Sequence, residues 1–394
     1  TAVCLKWFIN REIGRYTVCT GQTVIDGFAN IPGPRHWALY LILIPQLFVA
    51  VTSIAGLAAS GATALILVFP GNIAWWTIGS IILSTVLVVW GRFKLVERIA
   101  TILAILLSVA AIISAVKVFK DGGSLVRGFV PAIPGDLNYS ELLPWLGFML
   151  SGAAGMMWYS YWIQKKGYGA AKAKSGIAPS ELTREEQKGL KRWIGLMTID
   201  NTVAVAGTFI VTIAFLVLGT ELLRPKGLVP EQDKVAEVLG QLLGDVWGPA
   251  GFWFMVVGLF IGFWDTVLSD QDGFGRLFSG GFRLLLKKSR LKRRWLNEEF
   301  LRKFFVIVVV TVFPSILYLF VGEPVGLLKA AGAIEAAHIP VLVVLILYLN
   351  NRDLPRELRP STGTTIATAL AGFFFAAFAV FYLLQVTGVI SAEK

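Results

Sequence analysis

Nine stretches of this chain stay apolar for long enough to cross a lipid bilayer as helices: 37–68, 73–91, 97–118, 142–164, 195–219, 246–270, 304–321, 325–349 and 362–388. A hydrocarbon core of about 30 Å takes roughly 20 helical residues per crossing. Lipid offers no water to unpaired backbone groups, so such runs fold as helices that satisfy their own amides. Composition points the same way. With 56% hydrophobic and 15% charged residues, a chain of 394 residues has too little polar surface for a soluble domain. A tenth apolar stretch, at 1–10, reads as a helix cut short. With no initiator Met or signal peptide ahead of it, the chain reads as N-terminally truncated. The fold class expected is an all-α polytopic membrane protein, with 1–394 forming one transmembrane unit and no linker dividing it.

The net charge of +11 is unevenly placed. Segments 11–36, 92–98, 165–193, 276–303 and 352–359 hold 3, 3, 8, 10 and 3 Lys or Arg. The alternate connections hold few: none at Gly71-Asn72, three in 117–140, three in 220–245 and one in 322–329. This alternation is the positive-inside pattern, which puts the basic loops in the cytoplasm and the C-terminus outside. The run from Lys287 to Arg294 then reads as a topology signal that meets anionic lipid headgroups, not as a nucleic-acid site. No obligate protein partner is evident, and the expected location is a bacterial cytoplasmic membrane.

Enzyme chemistry finds no support. There are two His and two Cys, Cys4 and Cys19, and no metal-hydrolase, redox, phosphate-loop or nucleophile motif. The cysteines are too few and too far apart for a disulfide framework or a thiolate metal site. No cofactor is expected.

Two kinds of residue stand out inside the spans. The first is a run of small residues, Ser151-Gly152-Ala153-Ala154-Gly155, followed by Met156-Met157-Trp158. Such a run either breaks the helix at a substrate site or lets neighbouring helices pack closely. The second is ionisable groups, which cost about 2.5–3.5 kcal/mol each at a helix centre facing lipid. Asp265 lies deep in one span, and Glu335 and His338 share a helix face just before Pro340. Asp270 and Asp272 read as solvated near a cytoplasmic end.

Several short segments, in order, resemble the Nramp family of divalent-metal transporters. Arg11-Glu12-Ile13-Gly14-Arg15 with Cys19-Thr20-Gly21 is similar to the end of the family's second helix. Lys94-Leu95-Val96-Glu97-Arg98 resembles its fourth-to-fifth helix turn, and Gly128-Phe129-Val130-Pro131-Ala132-Ile133-Pro134 its approach to the sixth. Gly258-Leu259 and Ile339-Pro340 look like the eighth and tenth. The resemblance implies a leucine-transporter-like (APC-type) inverted-repeat fold, with helices two to eleven present. The first helix, with its Asp-Pro-Gly-Asn break, would lie before Thr1. Phe69-Pro70-Gly71-Asn72 echoes that motif in an external turn without its Asp, so its role is not carried over.

The family's Ala-x-x-Met-Pro-His falls on Ala153 to Trp158. By resemblance, the Ala153 carbonyl and the Met156 thioether are metal ligands, and His338 falls where the family usually has Gln. Gly152, Gly155, Met157, Trp158, Gln46, Ser53, Asp265 and Glu335 then belong to the substrate pathway. A soft sulfur favours Mn²⁺ or Fe²⁺ over Mg²⁺ or Ca²⁺. The family's three proton-route acids fall on Gln46, Ser53 and Gly56, all neutral, and its sixth-helix His on Trp158. The expectation is a secondary transporter or uniporter for a divalent metal, working by alternating access without the usual proton coupling. Two alternatives stay open. One is a same-fold carrier of an organic cation or amino-acid-like solute, with an aromatic wall of Trp158, Tyr159, Tyr161 and Trp162. The other is a membrane receptor or scaffold that does not transport.

Overall fold

The structure, a computed structural model, describes residues 1–91, 94–120, 123, 138–173, 182–286 and 297–389. Among these residues the chain is helical, with no strand. Helix α1 (Ala2–Thr20) and the short α2 (Val24–Ala29) precede α3 (Trp37–Leu65), α4 (Ile73–Trp90) and α5 (Lys94–Val118). Then come α6 (Tyr139–Phe148), α7 (Ala153–Lys166), α8 (Arg184–Leu218) and α9 (Val235–Leu286). The last are α10 (Glu298–Val321, with a π turn at Val308–Val312), α11 (Pro324–Asp353) and α12 (Thr362–Val386). Eight of them, α3, α4, α5 and α8 to α12, are long and apolar enough to cross a membrane. The basic run at Lys287 to Arg294 and the segment from Gly128 to Pro134 lie outside the described residues.

Helices α3 and α11 form the centre, packed on each other and, for α3, on α9. The C-terminal half of α3 is built from Ala55, Gly56, Ala58, Ala59, Ser60, Gly61 and Ala62, all buried. Small side chains let the backbones approach closely, which is how helices gain contact where lipid supplies no hydrophobic drive.

The structure corrects several boundaries. The stretch at 1–10 is not a short helix end, because α1 continues to Thr20 and stops at Gly21, which takes the left-handed φ of 70°. Residues 11–20 are therefore packed helix, not the head of a basic loop. Glu12 is fully buried; it accepts from Arg11 Nη1 at 3.0 Å, Arg15 Nε at 2.9 Å and Asn350 Nδ2 of α11 at 3.1 Å. Arg15 also donates to the Leu358 carbonyl at 3.1 Å. Pairing is what allows these charges to be buried at all.

The expected single span at 142–164 is two helices, α6 and α7. The span at 246–270 ends later than expected: a sharp turn at Gly248 (φ 66°, ψ −158°) before Pro249 divides α9 into a first helix from Val235 and a second that runs to Leu286. Asp270 and Asp272 thus sit within a helix and not at its solvated end. Asp272 pairs with Arg276 at 2.8 Å and Arg302 at 3.0 Å. Helix α8 begins at Arg184, where Thr183 and Glu186 form a reciprocal cap. The Thr183 amide and hydroxyl hold the Glu186 carboxyl below the usual range. The turn at Phe69 to Asn72 is a connection, as expected, with Asn72 capping α4 through the Ala74 amide at 2.8 Å. Cys4 is exposed, Cys19 is buried, and both are free thiols.

Candidate substrate site at a broken helix

Of the two readings of the small-residue run, the break is the one realised. Helix α6 ends at Phe148, and Leu150 adopts a left-handed φ of 67°. Helix α7 restarts at Ala153 behind Gly152. A Leu in that conformation costs roughly 1–2 kcal/mol. Close packing contributes too: a Cβ on Gly147 would collide with the Gly332 carbonyl oxygen of α11, and one on Gly332 with the Pro144 carbonyl oxygen.

A break inside a bilayer strands carbonyls at the end of the first helix and amides at the start of the second. Both sets find charged partners from other helices. The Lys6 ammonium of α1 donates to the carbonyls of Gly147, Met149 and Ser151, each at 2.7 Å. The Glu335 carboxylate of α11 accepts from the Ala154 amide at 3.3 and 3.4 Å. Each sign suits its end: a cation meets the negative C-terminus of α6 and an anion the positive N-terminus of α7. Gly152 makes room for the carboxylate, since a Cβ there would come within 2.5 Å of Glu335 Cδ.

Glu335 is tied in turn to α3. Gln46 Nε2 lies 3.2 Å from Glu335 Oε2 and 2.9 Å from His338 Nδ1. A carboxylate can only accept, so the amide nitrogen must face it, and the second N–H of Gln46 goes to Nδ1. The imidazole proton then sits on Nε2. Gln46 Oε1 and His338 Nε2 are buried and have no protein partner. Together they offer one lone pair and one N–H to a bound species.

The other predicted residues divide. Met156 and Met157 are fully buried on α7, Met156 one turn beyond Gly152. Ala153 is the first residue of α7, so its carbonyl is engaged in the helical ladder. The carbonyls freed by the break lie upstream, at Gly147, Met149 and Ser151. Gly155 faces Ser151, whose Cβ would be 3.0 Å from an added methyl. Trp158 stacks edge-on to Phe274 at 4.9 Å and covers Gly273 of α9. Ser53 donates to Asp270 at 2.9 Å, seven residues and two turns along α3 from Gln46. Asp265 does not join these groups; it is half-buried in a groove with Thr101, Ala104 and Ser108 of α5. The four aromatic residues do not form one wall. Trp158 and Tyr161 approach Gly273 and Gly280 of α9, whereas Tyr159 and Trp162 line a side pocket with Asp200.

Lys6 and Asp270 are the residues that sequence reasoning missed. A lone Lys in an apolar stretch was the available signal for the first. Asp270 was set aside because the end of its helix was placed too early. On the flank of the break, a cleft of about 900 Å³ is lined by Met149, Leu150, Thr208, Thr212, Thr220 and Arg224.

The family model described as natural resistance-associated macrophage protein-like (Nramp) matches residues 5–385. The chain belongs to the Nramp family. It is therefore an integral membrane protein of a transporter family. Its fold is shared with solved structures of a manganese transporter from Eremococcus coleocola. A glutamate-to-glutamine variant of that transporter is 14% identical, with a TM-score of 0.70, covering 98% of this Nramp chain and 80% of the other. A histidine-to-alanine variant is 13% identical, with a TM-score of 0.69 and the same coverage. The complex with an aromatic bis-isothiourea compound is 12% identical, with a TM-score of 0.63, covering 100% and 80%. No curated protein matches the chain. At these identities the shared property is the leucine-transporter-like fold.

Proposed function

We propose that this Nramp chain carries a divalent transition-metal ion across a membrane by alternating access, with 1–394 acting as one transport unit. The observation that carries this reading is the α6–α7 break itself. It holds a buried thioether, Met156, one turn from the seat of a buried carboxylate, Glu335. Sulfur favours Mn²⁺ or Fe²⁺ over the oxygen-seeking Mg²⁺ and Ca²⁺. Among the described residues no three His, Cys, Asp or Glu side chains gather into a metal site. The metal would therefore rest on few side chains, Met156 and Glu335 first, with the free Gln46 Oε1 as a further oxygen.

His338 joins only after a rearrangement. Binding through Nε2 requires the proton to move to Nδ1, and Gln46 must then turn its oxygen to the ring. Likewise the Ala153 carbonyl becomes a ligand only if the first turn of α7 opens. The substrate-induced change is thus a rotation of the Gln46 amide coupled to the start of α7.

We also propose that transport proceeds without a carboxylate relay along α3, because Gln46, Ser53 and Gly56 are neutral. Among the described residues two acids are bonded to that helix, Glu335 to Gln46 and Asp270 to Ser53. Seven residues at 1.5 Å each put Gln46 and Ser53 about 10 Å apart. Sidedness follows the charge pattern, with basic segments in the cytoplasm against anionic headgroups and the C-terminus outside.

Isothermal titration calorimetry of Mn²⁺ into the purified protein tests the site. Saturable binding should weaken about 10- to 100-fold in Met156→Ala. Equal affinity in the variant would remove Met156 from the site.

A further inference from the structure

Among the described residues Lys6 is the most completely enclosed Lys or Arg. It is 0% exposed, and its three N–H groups have three carbonyl partners at one common distance of 2.7 Å. The Phe375 ring of α12 covers it, with the centroid 5.4 Å from Nζ. An ammonium has three hydrogen atoms to give, so none is left over. The arrangement is that of a cation held by backbone oxygens and an aromatic face. The 2.7 Å separations are the ordinary length of a charge-assisted ammonium hydrogen bond, so the three carbonyls are spaced around a cation of ammonium size. The seat fits a large monovalent ion of the potassium or ammonium class.

We propose that Lys6 is a tethered cation occupying a monovalent-cation seat at the helix break, so that the carrier needs no free K⁺ or ammonium to complete its central bundle. The three carbonyls come from the end of α6 and the linker to α7, where stranded acceptors gather partial negative charge. A charge must sit there whenever the segment is away from water. A covalently attached ammonium is always present, pays no binding entropy from solution and cannot be carried off with the substrate. Glu335, on the α7 side, keeps the pair of helix ends electrically balanced. The seat is separate from the transported ion and stands whatever that ion is.

The proposal predicts that deleting the ammonium leaves a site that a free ion can refill. Thermal unfolding of the purified protein is followed in choline, sodium, potassium and ammonium chlorides at one ionic strength. Wild-type protein should melt at the same temperature in all four. Lys6→Ala should melt lower in choline and regain roughly 3–6 °C in potassium or ammonium, saturably, with sodium weaker. A merely structural lysine would give the lower melting temperature with no dependence on the ion. Lys6→Gln, whose amide satisfies at most two of the three carbonyls, is measured in the same series and should show a smaller gain. Absence of a potassium- or ammonium-specific gain in whichever variant folds overturns the proposal, as does an equal gain in the wild type.

Discussion

Glu335 illustrates how one buried carboxylate can tie three helices together. It caps α7, balances Lys6 across the break and fixes the Gln46 amide, which in turn sets the His338 tautomer. Removing it leaves Lys6 without its counter-charge and the Ala154 amide without an acceptor. Glu335→Ala should therefore destabilise the protein by about 1–3 kcal/mol, the range for leaving buried hydrogen-bonding groups without partners. Denaturant unfolding in detergent checks this, with a loss below about 1 kcal/mol contradicting it. Glu335 and His338 were legible as intramembrane polar residues on one helix face. Their partners were not. Gln46 lies 289 residues from Glu335, and no local pattern links an amide on α3 to a carboxylate on α11. For the same reason Arg15 was counted with a basic loop, because the Leu358 carbonyl that it meets is more than 300 residues away.

At the scale of the element, the break between α6 and α7 decides what the site can be. The run of small residues announced it without choosing between a break and close packing. The run itself forms the break, beside the left-handed Leu150 and with Gly152 ahead of α7, while close packing lies just outside it, where Gly147 and Gly332 let α6 lie on α11. A larger side chain at Gly332 would push the two helices apart and displace the carbonyls that hold Lys6. Gly332→Val should lower the melting temperature by several degrees and weaken Mn²⁺ binding, and unchanged values for both would contradict this packing account. Leu150→Gly removes the left-handed strain. It should leave the fold intact and raise stability by up to about 1 kcal/mol. A loss of stability would mean the Leu150 side chain contributes more than its backbone costs. Helix periodicity located α3, α11 and α12 well because apolar length is a strong signal. It failed at α1 and at the end of α9, where paired charges sit inside continuous helix: Glu12 with Arg15 in the one, Asp272 with Arg276 in the other.

Across the whole molecule, charge and apolar length set the membrane class and the family motifs set the fold. Coupling is a property of the assembled bundle. Four of its buried ionisable groups come from three helices: Lys6 and Glu12 from α1, Asp270 from α9 and Glu335 from α11. The neutral positions on α3 argue against a proton relay there, whereas Asp270 places one carboxylate against Ser53. Transport assays separate these possibilities. The most direct is Mn²⁺ uptake into proteoliposomes loaded with a metal-quenched dye and, in parallel, a pH dye. The account predicts saturable uptake above protein-free vesicles, reduced about tenfold or more in Met156→Ala, with no internal pH change that follows the metal. Proton entry in step with Mn²⁺, abolished by Asp270→Asn, would contradict uncoupled transport and move the coupling role to Asp270. Vesicles with folded protein and no Mn²⁺ uptake at all would contradict the metal-carrier reading itself.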